Sequence, residues 1–287
     1  MRANRRVVPD LPQPLRPETL ADAYAIQHRV VDELAARSGG RCIGYKVACT
    51  SEVTQAALQV DRPVFGRLMS QTTSPSGTTL KAHQFTHRVI EAEFAFRIGA
   101  DVEPVEGGHT LATIAEHIDA VLPAIEIVDH RFESLAVGVL RVVADNAIHG
   151  WWVRGEALTD WPARDLADSA VSVTRNGALV TTGSGEAVLG HPLNAMAWLA
   201  DELPRFGLQL RRGDVVTTGA TAGVFEADVG DSCAADFGPF GTVTVAFDRR
   251  QATDDRRKSV CQKSCVRFFA DLVALGATKC RQKPWRS

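Results

Sequence analysis

What this chain lacks narrows its class first. No window approaches the ~20 consecutive apolar residues that a membrane helix needs, so no membrane partner is expected. The opening residues, MRANRRVVPDLPQPLRPETL, are basic but carry no apolar segment of the kind that marks a secretory leader. A cytoplasmic protein is the expectation. The six cysteines include no CxxC pair: Cys42, Cys49 and Cys233 are isolated, and Cys261 and Cys265 form only a CxxxC. With no histidine at zinc-finger spacing, that pattern argues against structural zinc. Nor is the chain a short, cysteine-dense scaffold held by disulfides. Reduced, buried thiols are expected.

What is present is an ordinary globular composition, 45% hydrophobic and 23% charged over 287 residues, enough for one large domain or two small ones. The net charge of −2 conceals a split: residues 249–287 hold 11 Lys+Arg against 3 Asp, which leaves the rest at −10. An acidic body argues against nucleic acid as a partner.

The pattern along the chain divides it into a flexible Pro- and Arg-rich start (1–17), a helical and strand region (18–80), a β-rich catalytic domain (81–248) and a basic extension without an evident role (249–287). PETLADAYAIQHRVVDELAARSGG reads as a helix stopped by Gly39-Gly40, RCIGYKVACT as a strand, and SEVTQAALQV as a helix with Ser51 as N-cap. DRPVFGRLMS and QTTSPSGTTL read as loop. Further on, IEAEFAFRIG is a strand, HTLATIAEHIDAVL a helix, PAIEIVDHRF a strand, and VSVTRNGALVTTG a hairpin turning at Asn176-Gly177. HPLNAMAWLADELPRFG is an amphipathic helix, and GDVVTTG and DSCAADFGPFGTVTVAF are strands. There is no internal repeat, and helices alternate too irregularly with hairpins for a Rossmann fold or a TIM barrel. An α+β domain on a curved mixed sheet is expected.

The segment RVIEAEFAFRI places Glu91 and Glu93 one residue apart among residues that want burial. Strand side chains alternate faces, so both glutamates point one way while Ile90, Ala92, Phe94 and Phe96 point the other. Taken alone this also describes a half-solvated strand with a charged outer face. A second segment weighs against that: LPAIEIVDHR carries Glu126 between Ile125 and Ile127. A carboxylate there is expensive to bury unless paired, protonated or bound to a cation. Three glutamates on two strands can satisfy one another around a hard divalent ion, and oxygen-only ligands favour Mg²⁺ or Mn²⁺ over zinc.

GYKVACT, IEAEFAF, LPAIEIVD, ADNAIHG, GSGEAVLGHPLNAMAWLADEL and LRRGDVVTTGAT follow one another between residues 44 and 221. In that order they resemble the 2-keto-4-pentenoate hydratase / 4-oxalocrotonate decarboxylase branch of the fumarylacetoacetate hydrolase family, from about residue 18 to residue 247. The resemblance implies a fumarylacetoacetase C-terminal-like fold: a curved mixed sheet or barrel with flanking helices. It implies that Glu91, Glu93 and Glu126 hold Mg²⁺ or Mn²⁺ and that Lys46 is the catalytic lysine. Burial and the metal would both disfavour the charged lysine, leaving it able to exchange protons near neutral pH. Ser184, His191, Thr218 and Gly219, with Thr217, match segments near the substrate, while Asp145 and Asn146 fix a turn or support the metal ligands.

The implied activity is a hydratase adding water to a 2-hydroxydienoate or 2-oxo-enoate acid such as 2-hydroxypenta-2,4-dienoate, in aromatic catabolism. Alternatives are a 4-oxalocrotonate-type decarboxylase, an acylpyruvate C–C hydrolase, or a weakly active structural partner of such an enzyme. A homo-oligomer, complexed or not with a pathway enzyme, is implied as well. One departure stands out. Where relatives carry acids in and after P-D-F-G-x-L, this chain has PVFGRLMSQ, with Val64 and Gln71 at those positions.

Overall fold

The computed structural model describes residues 6–249. Its strands are β1 (Cys42–Ala48), β2 (Val64–Met69), β3 (Thr73–Pro75), β4 (Thr78–Leu80), β5 (Val89–Ile98), β6 (Ile118–Val128), β7 (His149–Arg154), β8 (Ala170–Arg175), β9 (Ala178–Ser184), β10 (Val215–Thr217), β11 (Phe225–Glu226), β12 (Ser232–Asp236) and β13 (Thr242–Phe247). The α-helices are α1 (Leu20–Ser38), α2 (Glu52–Leu58), α3 (Leu111–Ala115), α4 (Val139–Ala144) and α5 (Pro192–Glu202).

Two mixed sheets carry the architecture. The larger curls into a half-barrel in the order β2-β1-β10-β5-β6-β7-β3, with β11 alongside β5; the smaller runs β4-β13-β12-β8-β9. This is the α+β arrangement on a curved sheet that the sequence led us to expect. Residues 18–80 and 81–248 supply strands to the same two sheets, since β1 pairs with β10 and β4 with β13.

Local chemistry explains the elements. Thr19 and Asp22 form a reciprocal capping box at the start of α1, and Gly39, at φ +68°, ends it. The buried stripe of α1 includes Tyr24, which stacks on Phe65 at 4.2 Å. Ser51 caps α2 as anticipated. The Asn176-Gly177 hairpin forms with both residues at positive φ (+53° and +81°), the conformation a two-residue turn needs to match strand twist. Residues 6–17 are tied to the body: Val8 exchanges backbone hydrogen bonds with the segment at Arg131–Glu133, and Asp10 pairs with Arg16 and Arg141.

Two segments differ from the sequence reading. Residues 64–69 are a strand, not a loop; every one is buried, so the polar–apolar alternation that signals a strand is missing. The helix read over HTLATIAEHIDAVL is confined to Leu111–Ala115, and β6 already begins at Ile118, paired with Ile98. Pro123 is tolerated inside β6 because it stands where the ladder to β7 gives out: the pairing proper begins at Ala124, and the Pro123 carbonyl accepts from the Gly155 N–H at 2.8 Å. The strands read over DSCAADFGPFGTVTVAF are β12 and β13, the last ending at Phe247, and the basic extension from residue 250 lies outside the described residues. Among the described residues, no helix is long and apolar enough to cross a membrane.

Candidate active site

The site is assembled on neighbouring strands of the large sheet. Glu91 of β5 lies directly opposite Glu126 of β6, and Glu93 is two residues further along the same face. On the other face of β5, Ile90, Ala92, Phe94 and Phe96 enter the main core. The alternation read from the sequence therefore holds, but the glutamate face is enclosed by the curl of the sheet instead of facing water. One carboxylate oxygen from each of Glu91, Glu93 and Glu126 lies within 4.8 Å of the others. Glu93 and Glu126 are fully buried, and Glu91 is half-buried.

Each carboxylate is oriented by the chain around it. Glu93 Oε2 accepts from the Thr217 hydroxyl and from the Gly219 N–H (3.1 Å). Its Oε1 has no hydrogen-bond partner among the described residues. Glu126 Oε1 lies 3.0 Å from Nδ1 of His149, whose Nε2 is 3.2 Å from the Thr72 hydroxyl. A carboxylate only accepts, so this places the imidazole proton on Nδ1. Glu126 Oε2 faces the Lys46 ammonium at 3.2 Å.

Lys46 stands in the middle of β1 and is almost wholly buried. Besides Glu126 it donates to the Ala147 carbonyl at 3.2 Å. That carbonyl is delivered by an unusual turn: Asn146, Ala147 and Ile148 take φ of +55°, +46° and +55° in succession. Left-handed backbone at three successive non-glycine residues is costly and persists only where surroundings enforce it. Here the Asn146 side chain accepts from the Arg67 N–H (2.7 Å) and donates to the Arg67 carbonyl (2.9 Å), as a neighbouring strand would. Gly66 lets the turn approach, since a Cβ there would lie 2.7 Å from the Asn146 carbonyl oxygen.

Charge follows from this packing. Burial, joined by the neighbouring carboxylates of Glu126 and Glu91, holds Glu93 well above the usual carboxylate range. Burial also raises Glu91, with Lys46 opposing and Glu126 reinforcing. Burial pushes Glu126 up too, but Lys46 and His149 outweigh it and hold the carboxyl below its ordinary value. For Lys46, desolvation works downward, yet the fields of Glu126, Glu91 and Glu93 win and the ammonium is held above its ordinary value. These carboxylates thus favour the charged lysine, against the downward pull of burial. Three buried carboxyl groups share one lysine, and Glu93 Oε1 lacks a donor among the described residues. With hard oxygen donors only, the set fits a divalent cation held by Glu91, Glu93 and Glu126.

A cavity of about 100 Å³ opens beside this cluster, with Lys46, Glu91, Cys49, Thr50 and Gly219 among its lining residues. Gly219, at φ +104°, is required there: a Cβ would sit 2.0 Å from the Thr50 hydroxyl. Of the sequence-derived substrate residues, only Gly219 lines the cavity. Thr218 is buried with its hydroxyl donated to the Phe94 carbonyl (2.8 Å). His191 caps α5, its Nδ1 accepting from Leu193 N–H (3.0 Å), and Ser184 ends β9 against Ala170. The cap engages His191 Nδ1 because Pro192 starts the helix behind it. Val64 lies in the core, and neither Val64 nor Gln71 lines the cavity. Asp145 pairs with Arg131 and Asn146 fixes the turn, as anticipated. His149, Thr72 and the Ala147 carbonyl were not anticipated as site groups; the signal available was ADNAIHG itself, whose polar residues sit in a segment otherwise apolar.

Comparison with known proteins bears on the family and the fold. The family described as Fumarylacetoacetate (FAA) hydrolase C-terminal matches residues 41–247. The chain is 35% identical over 225 residues to 2-keto-4-pentenoate hydratase 1 of Dechloromonas aromatica (strain RCB), covering 78% of this chain and 84% of that protein. It is 35% identical over 231 residues to 2-hydroxyhexa-2,4-dienoate hydratase of Comamonas testosteroni, covering 80% and 86%. Among solved structures, 4-oxalocrotonate decarboxylase from Pseudomonas putida G7, complexed with magnesium and adipate, superposes with a TM-score of 0.80 at 29% identity, covering 86% of this chain and 92% of the other.

Proposed function

The chain belongs to the fumarylacetoacetate hydrolase family, and from that premise we propose that it is a divalent-metal-dependent hydratase of a small 2-hydroxydienoic acid. The observation that carries the reading is the cluster of Glu91, Glu93 and Glu126 within 4.8 Å at the wall of a cavity that also holds Lys46. Mg²⁺ or Mn²⁺ is the proposed ion; bound there, it supplies Lewis-acid stabilisation to a 2-oxo acid.

The chain's own residues do the rest. Lys46 is the one cation on the described cavity wall, and its contacts with Glu126 and the Ala147 carbonyl fix its ammonium in place. It is the group positioned to move a proton when the dienol becomes the 2-oxo form. Thr217 and the Gly219 N–H hold Glu93, and His149 holds Glu126, so the carboxylates are set before any ligand arrives. Buried strands on either side of the cluster exclude bulk water and keep these electrostatic effects strong.

The described lining offers no carboxylic acid besides Glu91. A decarboxylase needs no separate acid to activate water, and this observation sustains that second reading. One experiment separates them. The metal-loaded protein is mixed with 2-hydroxypenta-2,4-dienoate and with a 2-oxo-enedioate, following dienol absorbance and product masses, with a chelator-treated control. Metal-dependent gain of one water is the expected result. Loss of carbon dioxide from the diacid would replace the hydratase reading by the decarboxylase. If Glu91→Gln and Glu126→Gln leave metal affinity unchanged, the three-glutamate site is wrong. We also propose a homo-oligomer, which analytical ultracentrifugation checks.

A further inference from the structure

A second cavity, of about 530 Å³, shares no lining residue with the one beside the glutamate cluster. Helix α4 serves both: Val142 lines the first, whereas Arg141, Ala144 and the following Asp145 line the second. Residue spacing in α1 builds much of the rest. The buried stripe of that helix is Ala23, Tyr24, Gln27 and Val31. Ile26, Val30 and Leu34 recur every four residues as a second apolar row, and Arg29, Glu33 and Arg37 run beside it with the same spacing. Leu11 and Phe132 complete the lining. Leu11, Val30, Leu34 and Phe132 belong to none of the apolar core clusters of the described residues. Their common surface is this cavity.

The charges around it do not cancel. Three guanidiniums and two carboxylates lie on the lining. Asp145 is already answered by Arg131, which is not on the lining, at 3.1 Å. Arg37 pairs with Glu33 at 2.7 Å and Arg141 with Asp10 at 3.2 Å. Among the described residues this leaves the Arg29 guanidinium without an ion-pair partner. A guanidinium presents paired N–H donors that match a carboxylate. The apolar row beside it offers hydrocarbon a surface to cover. The volume falls in the range of roughly 300–1,000 Å³ usual for small-molecule sites. An inorganic anion would answer Arg29 and leave the apolar row wet, and a neutral apolar molecule would do the reverse.

We propose that this cavity is a second ligand site, separate from the glutamate cluster, and that it takes an organic monoanion: one carboxylate on an apolar body. Arg29 binds the carboxylate, while Val30, Leu34 and Phe132 cover the body. The inference does not depend on the activity proposed above.

The test is calorimetry on the full-length protein with octanoate, octanamide and inorganic phosphate as probes. EDTA is present throughout, so that no metal ion at the glutamate cluster can capture a carboxylate. Octanoate is expected to bind once per chain. Its affinity should be at least roughly tenfold higher than that of octanamide, which lacks the charge, or of phosphate, which lacks the apolar body. Arg29 is exposed in the middle of α1, and glutamine there preserves helix propensity. Arg29→Gln should therefore weaken octanoate at least roughly tenfold while circular dichroism and the melting temperature stay as in the parent. Val30→Trp, which puts a larger ring into the cavity, should weaken it as well. Equal binding of octanamide overturns the role given to charge, and equal binding of phosphate overturns the role given to the apolar row. Octanoate that does not bind, or binds Arg29→Gln as tightly as the parent, overturns the site itself. Sedimentation velocity on the same samples tests the rival occupant, a second copy of the chain. If Arg29→Gln or Val30→Trp dissociates an oligomer, this face is an interface between copies and the ligand site falls; an unchanged sedimentation coefficient sustains it.

Discussion

Glu93 illustrates how one residue can be a liability in one state of the protein and an asset in another. Its carboxyl is held well above its ordinary range by burial and by Glu126 and Glu91. A carboxyl raised on folding contributes stability below its unfolded value, and that contribution is lost as pH rises through the folded one. In chelator at pH 7, Glu93→Gln should therefore melt higher than the parent chain, while losing the stabilisation that Mg²⁺ gives the parent. Paired thermal melts with EDTA and with Mg²⁺ read both signs. His149 acts one step back, holding Glu126 by a 3.0 Å contact. His149→Ala should weaken Mg²⁺ binding by about 10-fold or more, read by calorimetry, with the fold intact by circular dichroism. His130 tests a different effect. It is fully buried and stacked on His87 at 3.8 Å, and burial, His87 and Arg131 push its pKa down to about 3. A histidine lowered on folding favours the unfolded chain once protonated. Its contribution is whole above about pH 6.5 and is lost as pH falls toward 3. His130→Gln should flatten the fall of stability between pH 6.5 and pH 4 by up to about 1.4 kcal/mol per pH unit, measured by urea titrations across that range.

At the scale of elements, the turn at residues 146–148 sets the position of Lys46. Asn146 tolerates left-handed backbone better than most residues, and its amide closes two hydrogen bonds to Arg67 in a buried setting. Asn146→Ala removes both bonds and puts a less tolerant residue at φ +55°. A loss of about 2–4 kcal/mol in unfolding free energy is expected, measured by chemical denaturation. Elements also show where sequence pattern reaches its limit. The capped helices and the Asn-Gly hairpin were legible because their signals are local: a side chain three residues from the amide it caps, or a pair of residues suited to positive φ. Strand β2 was not, since all six of its residues are buried and no periodicity survives. The overlong helix reading of residues 109–122 failed for a related reason. Its apolar spacing suits either period, and pairing with β5 decided for strand from Ile118 onward.

For the whole molecule, the large sheet brings Lys46, Glu91, Glu93 and Glu126 to one enclosed face although they are separated by up to 80 residues in the chain. Binding that requires this face exists only in the folded protein, so metal should stabilise it by mass action. At a Mg²⁺ concentration 100 times the Kd the gain is about 2.7 kcal/mol, or roughly 5–10 °C in melting temperature for a domain of this size. Scanning calorimetry at rising Mg²⁺ checks it, and a melting point indifferent to Mg²⁺, Mn²⁺ and EDTA would remove the metal site.

By itself the sequence determined the pairing of Glu91 with Glu93 on one strand face, the oddity of Glu126 among isoleucines, the caps, the hairpin and the family. These depend on residue type and on spacings of two to four, which short-range backbone geometry converts directly into direction. Only the tertiary structure decided which face of β5 is enclosed, that Lys46 sits against Glu126, and that His191 caps a helix without lining the cavity. It also decided that His149 and the Ala147 carbonyl belong to the site. Those outcomes depend on which strands become neighbours and how far the sheet curls. Burial and distance between groups far apart in the chain set them, and neither is written in any local pattern.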